Sequence, residues 1–557
     1  MKNRTSATLL SIVLSASATV AAEREMLITK NYLNYPVSAT GMLTAVRLEV
    51  AGKEVLSQPT CFATGEPTYW FHLDVRPFKG QKVTLVVGDR EQAVAGFDRI
   101  YQADEFAGQQ TLYRERWRPQ FHFTPQYGYN GDVNGLVWSQ GEYHLYYQAY
   151  PYGRKAGRMH WGHAVSSDLV HWRQLPTAMF PWGKSAAWSG GAIVDKDNAS
   201  GLRKGSNDLI VATYTRTGRG ESLAYSNDRG RTFEEYEGNP IIPDENGQDS
   251  RVLWYSPSKT WIIATRSPPP KSGGMAFYSS KNLKDWKYES ILPGHGECPE
   301  LFELPVGGDK HNTRWIAYSG TGDYDIGTFD GHQFSKESGT HIYAFANLKS
   351  RGFFYASQTW SNAPDERRIQ IATCWTRAGV PADMPFTQGM FFPVTLNLRT
   401  TPDGLRMCPW PIAEIERLYD KKHEWHNLAV TAERSFAPDV NGELFDVDLV
   451  MVPSPEASVG IAVGGAVIRY DKQRLTCSGP GDAVWMAKIQ PDAEGRISLR
   501  ILKDRTTVEI FGSGGVVYMP IFALFDQERR SFQVTVAQGT CLIERLAVNT
   551  LKSIWNN

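Results

Sequence analysis

The sequence predicts an all-β protein: a five-bladed β-propeller followed by a C-terminal β-sandwich, with a small N-terminal β domain in front. Three observations carry this. A short polar tail ending on an aromatic residue recurs at roughly 50- to 60-residue spacing, which suits sheet blades arranged around an axis. From about residue 435 onward, alternating runs separated by Gly, Asn and Asp turns read as sandwich strands. The best helical stretch, PWPIAEIERLY from Pro409, carries only a partial helical period through Ile412, Ile415, Leu418 and Tyr419.

In chain order, residues 1–22 read as a secretory signal peptide. Lys2 and Arg4 form a basic start, residues 9–14 a short apolar centre, and residues 16–22 a small-residue cleavage region. The expected location is therefore secreted or periplasmic. No run approaches the ~18 apolar residues of a membrane span. Residues 23–110 form the accessory β domain, with short strand-like runs at 27–28, 44–50, 69–73 and 82–87.

Residues 111–408 form the propeller. Its tails are Ser167-Asp168-Leu169 leading to Trp172, Ser226-Asn227-Asp228 to Phe233, Ser280-Lys281-Asn282-Leu283 to Trp286, and a looser Phe329-Asp330-Gly331 to Phe334. A fifth unit without the tail spans 353–375. Residues 409–432 read as a linker helix, and 433–557 as the sandwich. The 59 basic and 59 acidic residues balance, which gives no electrostatic reason to bind nucleic acid. Six cysteines are scattered without zinc-like spacing, so mostly free, buried thiols are expected.

Three acids stand out. Asp132 lies in Gly131-Asp132-Val133-Asn134-Gly135, Asp249 in Gln248-Asp249-Ser250-Arg251, and Glu297 in Gly296-Glu297-Cys298-Pro299. Each opens a blade, so all three can meet at one end of a propeller funnel. Converging carboxylates suit an oxygen-ligated cation or glycoside hydrolysis, in which one carboxylate attacks or activates water and another protonates the leaving oxygen. A single acid in a turn is more often a capping or solvated residue. Three in comparable settings weaken that reading.

These residues carry a resemblance to glycoside hydrolase family 32, the invertase, inulinase and levanase family. The family's W-M-N-D-P-N-G is similar to Tyr129–Gly135, its Y-H-L-F-Y-Q to Tyr143–Gln148, and its W-G-H-A-x-S-x-D-L-V-x-W to Trp161–Trp172. Its W/F-S-G resembles Trp188-Ser189-Gly190. R-D-P falls on Gln248-Asp249-Ser250, E-C-P on Glu297-Cys298-Pro299, and D-R-S-S-V-E-V-F on Asp504–Phe511. The N-terminal unit also resembles an accessory domain found in some gut-type fructanases.

The resemblance implies a retaining β-fructofuranosidase acting on levan, inulin, fructo-oligosaccharides or sucrose, with no cofactor and no metal. Asp132 would be the nucleophile and Glu297 the acid/base, roughly 5 to 5.5 Å apart. Asp249 would grip sugar hydroxyls and stabilise the transition state. Gln148, Trp188, Ser189 and Gln248 would line the substrate subsite. Cys298, beside Glu297, would affect its protonation or simply pack as a thiol.

The sequence departs from the family at several points. Gly131 replaces Asn, Val133 replaces Pro, and Gln248 replaces the Arg of R-D-P, so a charged fork becomes a neutral amide. Residues 151–160 lack a frequent Trp, and P-R-E falls on Pro393-Val394-Thr395. These departures keep three alternatives in view: a fructosyltransferase, another furanosidase on the same fold, and a fructan-binding protein without turnover.

Overall fold

The computed structural model describes residues 22–39, 43–88, 95–181, 185–243, 248–267, 273–345, 353–376, 380–481 and 483–555. Most of the signal peptide expected over residues 1–22 therefore lies outside the described residues; Ala22 already heads a strand paired with residues 82–87. The chain divides into two compact units, residues 1–109 and 110–557.

The first unit holds a four-stranded sheet, ordered Ala22–Leu27, Lys82–Val87, Leu43–Val50, Lys53–Cys61, and a three-stranded sheet, Tyr69–Asp74, Tyr32–Val37, Tyr101–Ala103. Leu43–Val50 alternates cleanly, burying Thr44, Val46 and Leu48. Three of these strands are absent from the sequence reading. Pro36 and Asn34 obscure the apolar pattern of Tyr32–Val37. Lys53–Cys61 is mostly polar and carries Pro59, which an edge strand tolerates.

The second unit is the propeller with its sandwich. The strands of blade I are Tyr129–Ser139, Glu142–Tyr150, His160–Ser166 and Arg173–Met179. Those of blade II are Ala187–Val194, Ile210–Arg216, Gly220–Ser226 and Glu234–Glu235. Blade III comprises Gln248–Tyr255, Thr260–Ser267, Gly274–Ser280 and Lys287–Pro293, and blade IV comprises Glu300–Val306, Asp309–Tyr318, Asp323–Phe329 and Phe334–Lys336. Blade V is built from Phe354–Thr359, Ile369–Cys374, Val394–Thr401 and Gly404–Pro411. A blade packed between two others can bury a middle strand on both faces, and every residue of Ile210–Arg216 is buried. The ring closes where Ser361 N–H donates to Leu136 O and Trp138 N–H donates to Ser361 O, both at 3.0 Å.

The recurring tail is a repeated turn between the third and fourth strands of a blade. Asp168 Oδ1 accepts from the amides of Val170 and His171, Asp228 Oδ1 from Arg231 and Thr232, Asn282 Oδ1 from Lys284 and Asp285, and Asp330 Oδ1 from His332 and Gln333. In each, the residue after the Asx side chain is left-handed: Leu169, Arg229, Leu283 and Gly331 have φ of 66°, 63°, 63° and 94°.

The predicted linker helix over 409–432 is corrected. Residues to Pro411 complete a blade V strand, Ala413–Leu418 is a single 3-10 helix, and Tyr419–Thr431 is a long strand of the sandwich. Pro409 and Pro411 cannot supply helical N–H donors. Only Ile415 and Leu418 of the 3-10 helix are buried, so no amphipathic face extends it.

The sandwich packs a six-stranded sheet, ordered Tyr419–Thr431, Thr540–Leu551, Phe445–Pro453, Ile497–Lys503, Thr507–Gly512, Val517–Phe522, against a five-stranded one. Val447, Leu449, Ile461, Ile468, Leu499, Ile510, Val534 and Ile543 fill the space between them. A buried polar knot joins sandwich to propeller. His122, entering blade I, places Nδ1 2.9 Å from Asp504 Oδ2 and Nε2 2.7 Å from Glu509 Oε2. Asp504 also accepts the amides of Gln120, Phe121 and His122, and Glu509 those of Phe392 and the Tyr518 hydroxyl. Burial opposes charge on His122, but its two carboxylate partners outweigh that and hold it at about 9. The Asp504 to Phe511 motif is thus the sandwich's grip on the segment that leads into blade I. All six cysteines are buried.

Candidate active site

The five innermost strands run in one direction, so their first residues gather at one end of the funnel. At that end the strand registers break. The breaks fall between Asn130 and Val133, Ala187 and Gly190, Gln248 and Arg251, and Tyr355 and Gln358. A bulge re-aims the side chains it contains. The four breaks bracket Asp132, Ser189 and Asp249 and begin at Tyr355. Asp249 and Cys298 are left-handed, with φ of 61° and 49°, conformations that a non-glycine residue holds only when its surroundings fix it.

Asp132 is 8% exposed. Its Oδ2 accepts from Ser189 Oγ at 2.6 Å and Gln148 Nε2 at 3.2 Å, and Cys298 Sγ lies 3.7 Å away. Gln148 Nε2 also donates to Ser189 Oγ at 2.6 Å. These contacts all fall on Oδ2 and none of them on Oδ1. Gly190, the last residue of the Trp-Ser-Gly motif, is required for this approach: a Cβ there would lie 1.9 Å from Thr213 O.

Asp249 Oδ2 accepts from the Cys298 amide at 3.1 Å, with Cys298 Sγ 3.8 Å away. The Asp249 N–H donates to Thr215 Oγ1 at 2.7 Å, and Thr215 Oγ1 donates in turn to the buried Glu221 at 3.2 Å. Cys298 therefore bridges Asp132 and Asp249 with its thiol. Burial and the surrounding acids push that thiol well up, so it is a neutral, weak donor.

Glu297 is the open member. Its side chain is 45% exposed, and both oxygens are held: Oε1 accepts from Arg266 Nη1 at 2.7 Å and Oε2 from the Tyr355 hydroxyl at 2.5 Å. Burial, then the charges of Asp249 and Glu297, raise Asp132 to about 7. Burial likewise raises Asp249 to about 6, with the Cys298 amide opposing it and the Glu297 charge adding to it. The three acids are thus one coupled cluster.

Asp132, Asp249 and Cys298 also offer three atoms within 4.8 Å of one another, a spacing a cation could use. The donor set fits a cation poorly. Ser189, Gln148 and the Cys298 amide already aim hydrogens at the same oxygens, and a hard cation needs six to eight oxygens.

Of the substrate residues expected from the sequence, Gln148, Ser189, Gln248 and Cys298 join the acids directly or through one hydrogen bond. Trp188 is half-buried, and its indole N–H donates to Thr217 Oγ1 at 2.7 Å. The glycine at 131 also has a local cause: a Cβ there would lie 2.8 Å from Gln148 Oε1 and 3.3 Å from Tyr129 Cε1, so the space beside the acid is taken. Below the site, Arg251 forms a floor across the axis. It donates to Gln358 Oε1, to Thr359 O at 3.0 Å and to Glu300 Oε1 at 3.2 Å.

Arg266, Tyr355, Thr215 and Glu221 escaped the sequence reading. Arg266 left one trace, the one charge in Thr260–Ser267, where hairpin register sets it opposite Gln248. Tyr355 lies in a stretch without motif or tail, and its reach to Glu297 comes only from ring closure.

The model of the glycosyl hydrolases family 32 N-terminal domain matches residues 122–411. A levanase of Bacillus subtilis (strain 168) is 33% identical over 497 residues, covering 81% of this chain and 72% of the relative. An extracellular exo-inulinase of Aspergillus niger is 28% identical over 521 residues, 80% of this chain and 96% of the relative. The crystal structure of exo-inulinase from Aspergillus awamori superposes with a TM-score of 0.71 at 26% identity, covering 80% of this chain and all of that one. A fructofuranosidase from Schwanniomyces occidentalis, complexed with fructose, shares the fold with a TM-score of 0.72 at 24% identity over 79% of this chain and 99% of that one. With its propeller built around three coupled acids and the family model spanning more than half its length, this chain belongs to glycosyl hydrolase family 32.

Proposed function

We propose that the protein is a retaining β-fructofuranosidase that releases fructosyl units from fructans, fructo-oligosaccharides or sucrose. The observation that carries this is the unlike setting of two carboxyls in one coupled cluster: Asp132 is buried with its donors gathered on one oxygen, whereas Glu297 is half-open to solvent. In the proposed reaction, Asp132 Oδ1 attacks the anomeric carbon while Glu297 gives its proton to the departing glycosidic oxygen. The fructosyl-enzyme ester is then cleaved by water that Glu297 deprotonates, and Asp132 leaves as carboxylate. Asp249 and the Gln148–Ser189 pair hold the sugar's hydroxyls. The names of the relatives, levanase and exo-inulinase, support the substrate class.

We also propose export. The basic, apolar and small-residue order of residues 1–22 supports it, and one relative is described as extracellular. Among the described residues no helix is long and apolar enough to cross a membrane.

The test is a product profile on levan, inulin, sucrose and short oligomers, with proton NMR of the first-formed anomer. Free β-fructofuranose, abolished in Asp132→Asn and Glu297→Gln, is the expected result. Wild type indistinguishable from both variants on every fructoside overturns the reading and favours a fructan-binding protein. Longer oligomers at high sucrose redirect it to transfer.

A further inference from the structure

We infer that Arg266 supplies, from the neighbouring strand, the guanidinium that position 248 lacks, and that it is the positioning residue for Glu297. Gln248 occupies the place of a charged, forked donor, so by itself it leaves the acid/base with no cation from its own strand. The structure has a cation there all the same. Gln248 and Arg266 are register partners on antiparallel strands. One Arg266 nitrogen, Nη1, donates both to Gln248 Oε1 and to Glu297 Oε1. Gln248 has thereby changed role, from donor to the sugar or acid into acceptor that aims the arginine.

The geometry favours positioning over a passive surface pair. Arg266 is 27% exposed, so it is only partly open to solvent. Glu297 is held on its other oxygen by Tyr355, whose hydroxyl is pushed far up by burial and so remains a donor. Two donors on two oxygens fix the carboxyl plane as well as its location. The charged and titratable groups facing Glu297 are Asp132 and Asp249 from blades I and III, Cys298 beside it, Tyr355 from blade V and Arg266. Among these described residues, Arg266 is the positive charge that faces the two acids and Glu297. A single arginine thus orients the Glu297 carboxyl.

The activity side of this inference rests on the fructosidase reading; the electrostatic side does not. The experiment compares wild type, Arg266→Gln, Gln248→Arg and the exchange variant Gln248→Arg/Arg266→Gln. Two readouts are used. One is the kcat/KM–pH profile on sucrose and levan. The other is the carbon-13 NMR titration of the Glu297 carboxyl, assigned by its loss in Glu297→Gln.

Removing a charged hydrogen bond from the acid/base should lower kcat/KM about 10- to 100-fold, mostly in kcat. The alkaline limb and the carboxyl titration should both differ measurably from wild type, because a neighbouring charge has been removed. The exchange variant, which puts the guanidinium back from the facing strand, should recover most of both losses. Gln248→Arg alone sets two like charges together and should not exceed wild type.

Coincident carboxyl titrations in wild type and Arg266→Gln overturn the inference, whether or not the protein hydrolyses fructosides. An exchange variant no better than Arg266→Gln overturns the claim that the guanidinium has moved between strands. A wild type without activity but with the shifted titration sinks the hydrolase reading and leaves the electrostatic role of Arg266 supported.

Discussion

Replacing Asp132 with Asn is expected to abolish turnover and to stabilise the protein, and the stabilisation should depend on pH. Asp132 rises from 3.8 to about 7 in the folded chain, first because it is buried and then because Asp249 and Glu297 lie near. Its folded affinity for the proton is raised. Its favourable contribution is therefore complete below pH ~4 and is lost as pH rises through about 7.

A shift of about three pH units corresponds to ~4 kcal/mol at most, and water entering the funnel should reduce the realised value to about 1–3 kcal/mol. Asn keeps an oxygen for Ser189 and Gln148 and carries no charge. For a cooperative unit as large as residues 110–557, an unfolding entropy of ~2.1 cal/mol/K per residue makes 1 kcal/mol about 1 °C. The variant should therefore melt about 1–3 °C above wild type at pH 8 and gain only about two-fifths of that at pH 5. Calorimetry at both pH values reads the difference, and a fructose-release assay reads the loss of activity. An equal gain at pH 5 and pH 8 would refute the electrostatic origin, and a lower melting temperature at pH 8 would refute the reasoning altogether.

The knot between propeller and sandwich should respond in the opposite sense. His122→Gln leaves Asp504 and Glu509 buried without their cation and should cost about 3–5 kcal/mol, read as the urea midpoint at pH 6. Because His122 is raised to about 9, its contribution is full below pH ~6.5 and is lost as pH rises through about 9, so the gap to wild type should close by pH 10; a gap constant from pH 6 to 10 would count against a charged imidazole. Gly190→Ala should destabilise by about 3 kcal/mol because its Cβ meets backbone that cannot step aside, and kcat should fall more than substrate affinity as Ser189 leaves Asp132. Retained stability in that variant would show that the innermost strand of blade II can move away from its neighbour.

What the sequence made legible was whatever repeats or is local. The recurring tails were visible because four of the five blades use the same Asx turn with a left-handed residue after it. Asp132, Asp249 and Glu297 were visible because each opens a blade, and the topology then brings together acids far apart in the chain. The sandwich strands were visible because one face is dry and the other wet. Pro409–Tyr419 misled because isoleucines and a leucine at helical spacing there serve a strand end and one 3-10 turn, and the prolines that forbid the helix were outvoted by the period.

The residues that were missed act across strands. Tyr355 reaches Glu297 from the last blade, and Thr215 with Glu221 supports Asp249 from behind; none has a sequence neighbour that announces it. Gln248 shows how far such a reading goes. On its own strand it is a lost arginine, and the loss counts against catalysis. Opposite Arg266 it is half of a pair, and a guanidinium reaches Glu297 from one strand over. A departure from a motif therefore measures lost function only after the facing strand has been read, because the bulged, antiparallel start of a blade lets two positions present a side chain to the same oxygen.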